Sequence, residues 1–311
     1  MSGEKYQRLI DTAATLAPVT TAVAHPCDPG SLSGAVDAAR LGLIVPILVG
    51  PKAKIEAVAR AGQIDISPYE IVDAAHSHAA AAKAVELVRA GRAEALMKGS
   101  LHTDELMAEV VRKDTGLRTA RRISHCFVMD VPMYADALII SDAAISIAPS
   151  LAEKADIVRN AIDLAHALRV EQVRVAILSA METINPQVPS TIEAAALCKM
   201  AERGQISGGI LDGPLALDNA ISLEAARIKK IASPVAGRAN VLIVPDLEAG
   251  NMLAKSLSFL AGADSAGIVL GAKVPIILTS RADSVMARLA SCAVAVFVAQ
   301  ARRDNAAKAI V

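Results

Sequence analysis

Aromatic residues are almost absent from this sequence, which has three Tyr, three Phe and no Trp in 311 residues. Its hydrophobic share of 53% is therefore mostly aliphatic. Aliphatic runs of this kind suit buried parallel strands covered by helices. Because domains usually contain about 100–200 residues, the length suits two domains better than one. We expect two α/β lobes with a cleft between them.

The sequence also lacks an excess of charge of either sign, with 32 basic and 32 acidic residues mixed along the chain. No overall field therefore attracts nucleic acid or an anionic membrane, and a small-molecule partner is expected instead. No apolar run reaches the ~18 residues of a membrane span, and the first thirty residues lack the order of a signal peptide. These observations predict a cytoplasmic protein.

Cysteine is scarce, and its spacing favours neither a zinc site nor a disulfide framework. The four residues are Cys27, Cys126, Cys198 and Cys292. We interpret them as small buried thiols. His125 adjoins Cys126, but neighbours on a strand point to opposite faces, which argues against a catalytic pair. His76 and His78 point in different directions on a predicted helix, so no metal site is expected.

Short aliphatic runs alternate with stretches of helical spacing, which is typical of βαβ units and a parallel sheet. ISHCFVMDVP and ADALIISDAAIS break this pattern, because too few residues separate them for a crossover helix. We predict that these two strands pair antiparallel and begin a second domain. The predicted domains are residues 1–123 with 273–311, and residues 124–272.

Many strand-like runs end in a polar or glycine-containing turn, as at Lys98-Gly99-Ser100, Asp212-Gly213-Pro214 and Pro245-Asp246. In open α/β sheets, ligands bind outside the carboxyl ends of the strands, where helix N-termini offer backbone donors to anions. These turns are therefore the expected location of the chemistry.

Six segments, read together, carry a resemblance to a known family. They are MKGSLHTDELM, GLRTARRISHCFVMDVP, VAILSAMETINPQVPSTIEAAALCKMAERGQI, DGPLALDNAIS, SPVAGRANVLIVPDLEAGNMLAKSL and PIILTSRADS. Their order and spacing resemble the phosphate acetyltransferase and phosphate butyryltransferase family. DGPLALDNA, PDLEAGN and TSRADS look more like the butyryl branch.

This resemblance implies a two-domain α/β fold similar to the isocitrate and isopropylmalate dehydrogenases, a homodimer, and an active site in the interdomain cleft. It also implies transfer of a short acyl group between acyl-CoA and inorganic phosphate, giving acyl phosphate and CoA. Coenzyme A is then a substrate, and no cofactor is expected. Since bound phosphate attacks the thioester directly, the enzyme must position both groups and stabilise the developing charge.

The resemblance places Ser280 and Arg281 in the active site. A guanidinium can hold phosphate in a bidentate manner, and a hydroxyl can reach the carbonyl or the leaving sulfur. Asp283 follows within one turn and either orients Arg281 or takes a proton from phosphate. Alternatively, these residues only start a solvated helix, with Ser280 or Asp283 as a capping residue.

The sequence departs from the family pattern at two places. Acetyl-branch relatives carry an acidic residue a few positions after the serine, where this chain has Val285, Met286 and Ala287. The family's arginine after Lys98-Gly99 is also missing, because Leu106 is followed by Met107. Its candidate substitutes are Arg112, Arg121 and Arg122, each of which could equally be a surface charge.

The remaining candidates are predicted to bind substrate. The turn of Lys98, Gly99 and Ser100 could cradle phosphate with backbone N–H groups, and His102 follows it. Six further candidates are interpreted as parts of tight turns near the cleft: Asp212, Gly213, Pro245, Asp246, Gly250 and Asn251. The alternative for all of them is turn geometry or a solvated surface position without a role in binding.

Two other functions compete with acyl transfer. A metal-dependent oxidative decarboxylase would share the expected fold, but the sequence shows neither clustered aspartates nor an early GxGxxG turn. A non-catalytic two-lobed sensor would suit the composition equally well, and the Ser280-Arg281 pair argues against it. Fold alone does not decide between these functions.

Overall fold

The computed structural model describes residues 4–279 and 283–308. The chain forms two compact units. The terminal unit comprises Tyr6–Arg121 and Ala266–Val311, and the middle unit comprises Met1–Lys5 and Arg122–Ser265. The chain thus leaves the terminal unit after Arg121 and returns at Ala266; the sequence alone placed these crossings near residues 124 and 273.

Helices and strands alternate through most of the described chain. In chain order they are α1 Glu4–Ala13, β1 Val19–Ala24, α2 Pro29–Arg40, β2 Ile44–Gly50, α3 Lys52–Gly62, β3 Glu70–Asp73, α4 Ser77–Arg89, β4 Ala95–Lys98, α5 Thr103–Val110, β5 Ser124–Asp130, β6 Leu138–Ser141, α6 Leu151–Ala167, β7 Arg174–Leu178, α7 Pro189–Glu202, β8 Ile210–Leu215, α8 Leu217–Ile221, α9 Leu223–Ile228, β9 Val241–Ile243, α10 Leu247–Leu260, β10 Asp264–Leu270, β11 Ile276–Ile277 and α11 Val285–Lys308.

The terminal unit contains a mostly parallel sheet in the order β3-β2-β1-β4-β11-β10. β1 pairs in parallel with β2 and with β4, and β4 pairs in parallel with β11. Strands β1 and β4 are buried along nearly their whole length, as expected for parallel strands covered on both faces. The predicted α/β class with mostly parallel sheets is confirmed. The antiparallel pairing of β10 with β11 was not expected.

The middle unit contains strands in the order β5-β6-β9-β7-β8. β5 and β6 pair antiparallel, with Cys126 opposite Ser141 and Phe127 opposite Ile140. This confirms the antiparallel pairing predicted from their short connection. β9 pairs in parallel with both β6 and β7, and β8 with β7.

The last helix, α11, is a core helix of the terminal unit. Residues 290–299 are all buried, and the helix contacts α2, β1 and β11. Within the described chain it is long and apolar enough to cross a membrane, which the sequence analysis did not expect, but 61% of its most apolar window is buried inside the protein. A helix that is apolar all round is typical of a protein core. Its own chain therefore covers most of the apolar part of this helix.

Candidate active site

The turn after β4 is fixed against the end of β1 by backbone hydrogen bonds. Gly99 N–H donates to the carbonyl oxygen of Ala24 at 2.8 Å, and Ser100 N–H donates to that of His25 at 2.9 Å. A Cβ on Gly99 would lie 2.4 and 2.5 Å from these two oxygens, so the contact requires glycine. Because the carbonyl groups of Ala24 and His25 already accept the N–H groups of Gly99 and Ser100, the prediction that these two N–H groups cradle phosphate is wrong.

His25 follows β1 in an uncommon backbone conformation and contacts the Ser100 side chain. Its φ of 56° lies in the left-handed region, which few residues other than glycine adopt. The ring Nδ1 lies 2.9 Å from Ser100 Oγ, and the Ser100 hydroxyl donates to the carbonyl oxygen of His25 at 2.8 Å. The backbone N–H of Cys27 also donates to Ser100 Oγ, at 3.3 Å. Strained conformations held by several contacts often mark functional sites.

A cleft of about 480 Å³ opens at this end of the terminal unit's sheet. Its lining comprises His25, Cys27, Asp28, Gly30, Ser31, Lys54, Met97, Lys98, Gly99, Ser100, Thr279 and Arg288. Three cationic side chains and one carboxylate are among these residues. The cleft therefore carries a net positive charge, which favours an anionic ligand.

Two of the cations are held by backbone carbonyl groups. Lys98 is buried at the end of β4, and its Nζ lies 3.4 Å from the carbonyl oxygen of Thr279. Arg288, in the first turns of α11, donates from Nη1 to the carbonyl oxygen of Gly30 at 2.9 Å. Both cationic side chains line the cleft.

Helix α2 begins at the cleft wall. The Asp28 side chain caps the helix by accepting the N–H of Ser31 at 2.8 Å, and Pro29 occupies the first helical position. The positive end of the helix dipole therefore faces the same cavity as the cations. This arrangement is common where proteins bind phosphate.

Burial sets the protonation of two cleft residues. Desolvation, followed by the nearby Lys54 ammonium, lowers the pKa of His25 below its ordinary value, so the ring is neutral at pH 7. Desolvation raises the pKa of the Cys27 thiol to about 11. Since the thiolate is the reactive form, this shift disfavours Cys27 as a nucleophile at neutral pH.

Some of the site residues predicted in the terminal unit line this cleft, and others do not. Lys98, Gly99 and Ser100 line it, whereas His102 is exposed at the start of α5 and makes no side-chain capping bond. Asp283 is partly buried just before α11. Ser280 and Arg281 lie outside the described residues, so their placement stays a prediction. Thr279, which precedes them in the chain, lines the cleft.

Two of the proposed substitute arginines pair with nearby carboxylates. Arg112 lies 3.0 Å from Glu109, and Arg122 lies 2.9 Å from Glu153. Neither these two nor Arg121 is among the residues lining the cleft. Sequence reasoning missed Arg288 as a cleft cation, because its contact with Gly30 joins residues 258 positions apart.

In the middle unit, Asp212 and Gly213 lie within β8 and do not form the predicted tight turn. Asp212 Oδ1 accepts the N–H of Gly213 at 2.9 Å. A Cβ on Gly213 would lie 2.7 Å from the carbonyl oxygen of Ile177, on the neighbouring strand β7. Glycine therefore allows close strand packing here. Substrate binding by these two residues stays a prediction.

Pro245 and Asp246 lie between β9 and α10, whereas Gly250 and Asn251 lie within α10 and do not form the predicted tight turn. The Asp246 side chain caps α10 by accepting the N–H of Ala249 at 2.8 Å. A Cβ on Gly250 would lie 2.7 Å from Val244 Cγ2, and Asn251 donates to the carbonyl oxygen of Ala143 at 3.2 Å. Capping and packing account for these contacts, and a role in binding stays a prediction.

The sequence profile described as "phosphate acetyl/butaryl transferase" matches residues 76–296. The chain belongs to this family. It is 67% identical to a phosphate acetyltransferase of Rhizobium meliloti over 299 residues, which cover 96% of this chain and 95% of that protein. It is 41% identical to a phosphate butyryltransferase of Clostridium acetobutylicum over 278 residues, with 89% and 92% covered. The recognition of the family from its motifs is thus confirmed.

A solved phosphotransacetylase from Streptococcus pyogenes is similar in fold, with a TM-score of 0.81 at 22% identity, covering 97% of this chain and all of that one. The chain shares more identical residues with the phosphate acetyltransferase (67%) than with the phosphate butyryltransferase (41%). Three of its motifs nevertheless look more like the butyryl branch. Among the described residues, no group of three or more His, Cys, Asp or Glu side chains is arranged to hold a metal ion.

Proposed function

We propose that the chain is a phosphate acetyltransferase, which moves an acetyl group between coenzyme A and inorganic phosphate. The observation that carries the proposal is the basic cleft at the carboxyl ends of β1, β4 and β11 in a member of this family. The acetyl preference rests on the 67% identity to the Rhizobium meliloti protein, against 41% to the butyryltransferase.

In this proposal, phosphate binds among Lys98, Arg288 and the start of α2. An ammonium, a guanidinium and a helix N-terminus together offset the two negative charges of the phosphate. Arg281 and Ser280 follow Thr279 in sequence, and we assign them to the same phosphate and to the thioester. Asp283 then orients Arg281 or accepts a proton.

The chemistry needs no covalent intermediate on the protein. A phosphate oxygen attacks the thioester carbonyl carbon, and the thiolate of coenzyme A leaves after the oxyanion has formed. Positioning the two substrates and stabilising the oxyanion supply the rate enhancement. The protonated state of Cys27 agrees with direct attack by phosphate.

The test is release of free thiol from acetyl-, propionyl- and butyryl-CoA, with and without inorganic phosphate. We expect phosphate-dependent release, with the highest kcat/KM for acetyl-CoA. A highest kcat/KM for butyryl-CoA would place the enzyme in the other branch. No phosphate-dependent release from any of the three would refute the proposed function.

We further propose that the enzyme is a cytoplasmic homodimer. Support for an interface comes from α10 in the middle unit, where Met252, Phe259 and Leu260 are 62%, 83% and 86% exposed. Adjacent exposed apolar side chains are typical of surfaces that bind another protein. Light scattering at micromolar concentration should give the mass of a dimer, and Phe259→Asp should lower it. A monomeric mass for the wild type would contradict the proposal.

A further inference from the structure

Lys54 is a further cation of the cleft, beside Lys98 and Arg288, which we assign to inorganic phosphate. It is exposed in the first turn of α3. After desolvation, its ammonium has the largest influence on the pKa values of both His25 and Cys27, so it lies near these two cleft residues. Within residues 4–279 and 283–308, the Lys54 side chain forms no hydrogen bond or ion pair.

The start of α3 is an unfavourable place for a lysine. The N-terminus is the positive end of a helix dipole, so a cation there opposes the dipole. The first turn of α3 nevertheless contains Lys52 and Lys54, it has no acidic residue, and Pro51 supplies no side-chain capping bond. Lys52 Nζ lies 4.0 Å from a carboxylate oxygen of Glu56, which offsets its charge. Lys54 has no such partner among the described residues, and residues that break a local rule often serve a function.

Lys54 and Lys98 belong to different parts of the cleft. Strand β1 lies between β2, which precedes α3, and β4, which ends at Lys98. Because neighbouring strands are about 4.8 Å apart, the ends of β2 and β4 are separated by about 10 Å. Lys98 is buried, whereas Lys54 is exposed. Lys54 is therefore suited to an anionic group nearer the solvent than the one that Lys98 contacts.

The volume of the cleft also leaves room for a second group. Its 480 Å³ lies in the range of about 300–1,000 Å³ that is usual for pockets holding ligands much larger than one phosphate ion. In the proposed reaction, the other substrate is acyl-CoA. Its nucleotide end carries a pyrophosphate and a 3′-phosphate, both remote from the thioester.

We propose that Lys54 binds a phosphate group on the nucleotide end of coenzyme A, an inference that rests on the proposed function. A lysine suits this contact because it is a compact charge on a flexible stem. A contact remote from the reacting atoms stabilises the bound substrate and the transition state equally, so it lowers KM without raising kcat. Lys54 is thus a specificity residue for the nucleotide and not a catalytic residue.

The test uses two variants of Lys54 and one matched control. Lys54→Met keeps the length of the side chain and removes its charge, and Lys54→Arg keeps the charge. Lys52→Met is the control, because Lys52 has the same charge in the same turn of α3 and does not line the cleft. Since a cation at this helix end opposes the dipole, Lys54→Met should have an unchanged or higher Tm.

The first readout is the pair of KM values for acetyl-CoA and for phosphate, each at a saturating concentration of the other substrate. For Lys54→Met we expect KM for acetyl-CoA to rise about tenfold, as for the loss of a hydrogen bond to a charged group. KM for phosphate and kcat should not change. Lys54→Arg should recover most of the loss, and Lys52→Met should match the wild type. Calorimetry with coenzyme A alone should show the same rise in Kd without turnover.

Two shortened substrates identify the group that is bound. S-acetylpantetheine has no phosphate, so the wild type and Lys54→Met should use it equally well. With acetyl-dephospho-CoA, equal KM values for the two enzymes would assign the contact to the 3′-phosphate, and a remaining difference would assign it to the pyrophosphate. Either result supports the inference.

An unchanged Kd for coenzyme A in folded Lys54→Met would overturn the inference. A raised KM for phosphate in its place would assign Lys54 to inorganic phosphate, and an equal loss with S-acetylpantetheine would assign it to the reacting end of the substrate. In each of these cases, phosphate-dependent thiol release by the wild type would leave the proposed function standing. Failure of the wild type to release thiol would instead refute the proposed function, and the inference with it.

Discussion

The guanidinium of Arg288, on α11, donates a hydrogen bond from Nη1 to the carbonyl oxygen of Gly30, in the first turn of α2, at 2.9 Å. A Cβ added to Gly30 would lie 2.9 Å from that same Nη1. The absence of a side chain at position 30 thus sets where a cationic group stands in the cleft.

Gly30→Ala should therefore weaken phosphate binding without destabilising the protein. The guanidinium is the far end of a flexible side chain and can move away, so the added methyl group should cost little folding energy. Alanine in a helix stabilises by about 0.4–1 kcal/mol relative to glycine where the backbone permits it. We expect a higher KM for phosphate and an unchanged or higher Tm. An unchanged KM would show that Arg288 does not contact phosphate.

Gly99→Ala should instead destabilise the folded protein, because the added Cβ would meet backbone atoms. The carbonyl oxygens of Ala24 and His25 would lie 2.4 and 2.5 Å away, and the chain must shift to relieve the contact. Overpacking of this kind costs about 1–3 kcal/mol. The matched control is Gly62→Ala, whose Cβ would meet only the side chain of Ile64, at 3.2 Å. Thermal melting should show a clear loss for Gly99→Ala alone; equal Tm values would contradict the packing described here.

His125 should make the folded state less stable in mild acid. Its ring is fully buried, Nδ1 has no hydrogen-bond partner, and desolvation lowers its pKa to about 4. In the unfolded chain a histidine has a pKa of about 6.5. Between pH 6.5 and 4 the unfolded state therefore binds a proton that the folded state does not. Stability from this group is complete above pH 6.5 and is lost as the pH falls toward 4, by at most about 1.4 kcal/mol per pH unit.

The variant that tests this is His125→Leu, which cannot titrate. Its unfolding free energy should fall less than that of the wild type between pH 7.5 and pH 5, as measured by urea denaturation of both proteins. Other titrating groups are common to both and cancel in the comparison. Identical losses in the two proteins would rule out a buried neutral His125.

Local patterns in the sequence were enough to predict most of the fold. The alternation of aliphatic runs with helical spacing predicted the mostly parallel sheets, and the short connection between β5 and β6 predicted their antiparallel pairing. The pattern failed at Asp212-Gly213, where a turn signal lies inside a strand. Position 213 requires glycine because Ile177, on the adjacent strand, lies too close for a side chain. A local sequence pattern contains no information about that neighbour.

The candidate site was harder to predict, because long-range contacts build it. Lys98, Gly99 and Ser100 were placed correctly at the end of a strand, but their N–H groups were assumed to face a ligand. The assumption failed because the carbonyl groups of Ala24 and His25 accept those hydrogen bonds. His25 was missed altogether. The available signal was its position directly after a buried strand and before a proline, where polar residues reach the binding edge of a sheet.

The sequence-based assignment of Arg281 and Ser280 leads to a prediction of its own. Removing a preorganised donor to the transition state typically costs about 10²–10³ in rate. Arg281→Ala should show a loss of this size, and Arg281→Lys should recover only part, since lysine lacks the planar fork. Ser280→Ala should lower kcat with little change in Tm. Near wild-type turnover of Arg281→Ala at saturating substrates would show that other residues carry the chemistry.

The central claim is that phosphate binds in the basic cleft of the terminal unit, where Lys98 supplies a buried positive charge. The most direct test is kcat/KM for phosphate in Lys98→Met, which keeps the length of the side chain and removes its charge, measured at saturating acetyl-CoA. We predict a fall of about 10²-fold or more, as for other donors to developing charge, with the variant still folded by thermal melting. A folded Lys98→Met enzyme with wild-type kcat/KM for phosphate would contradict the account.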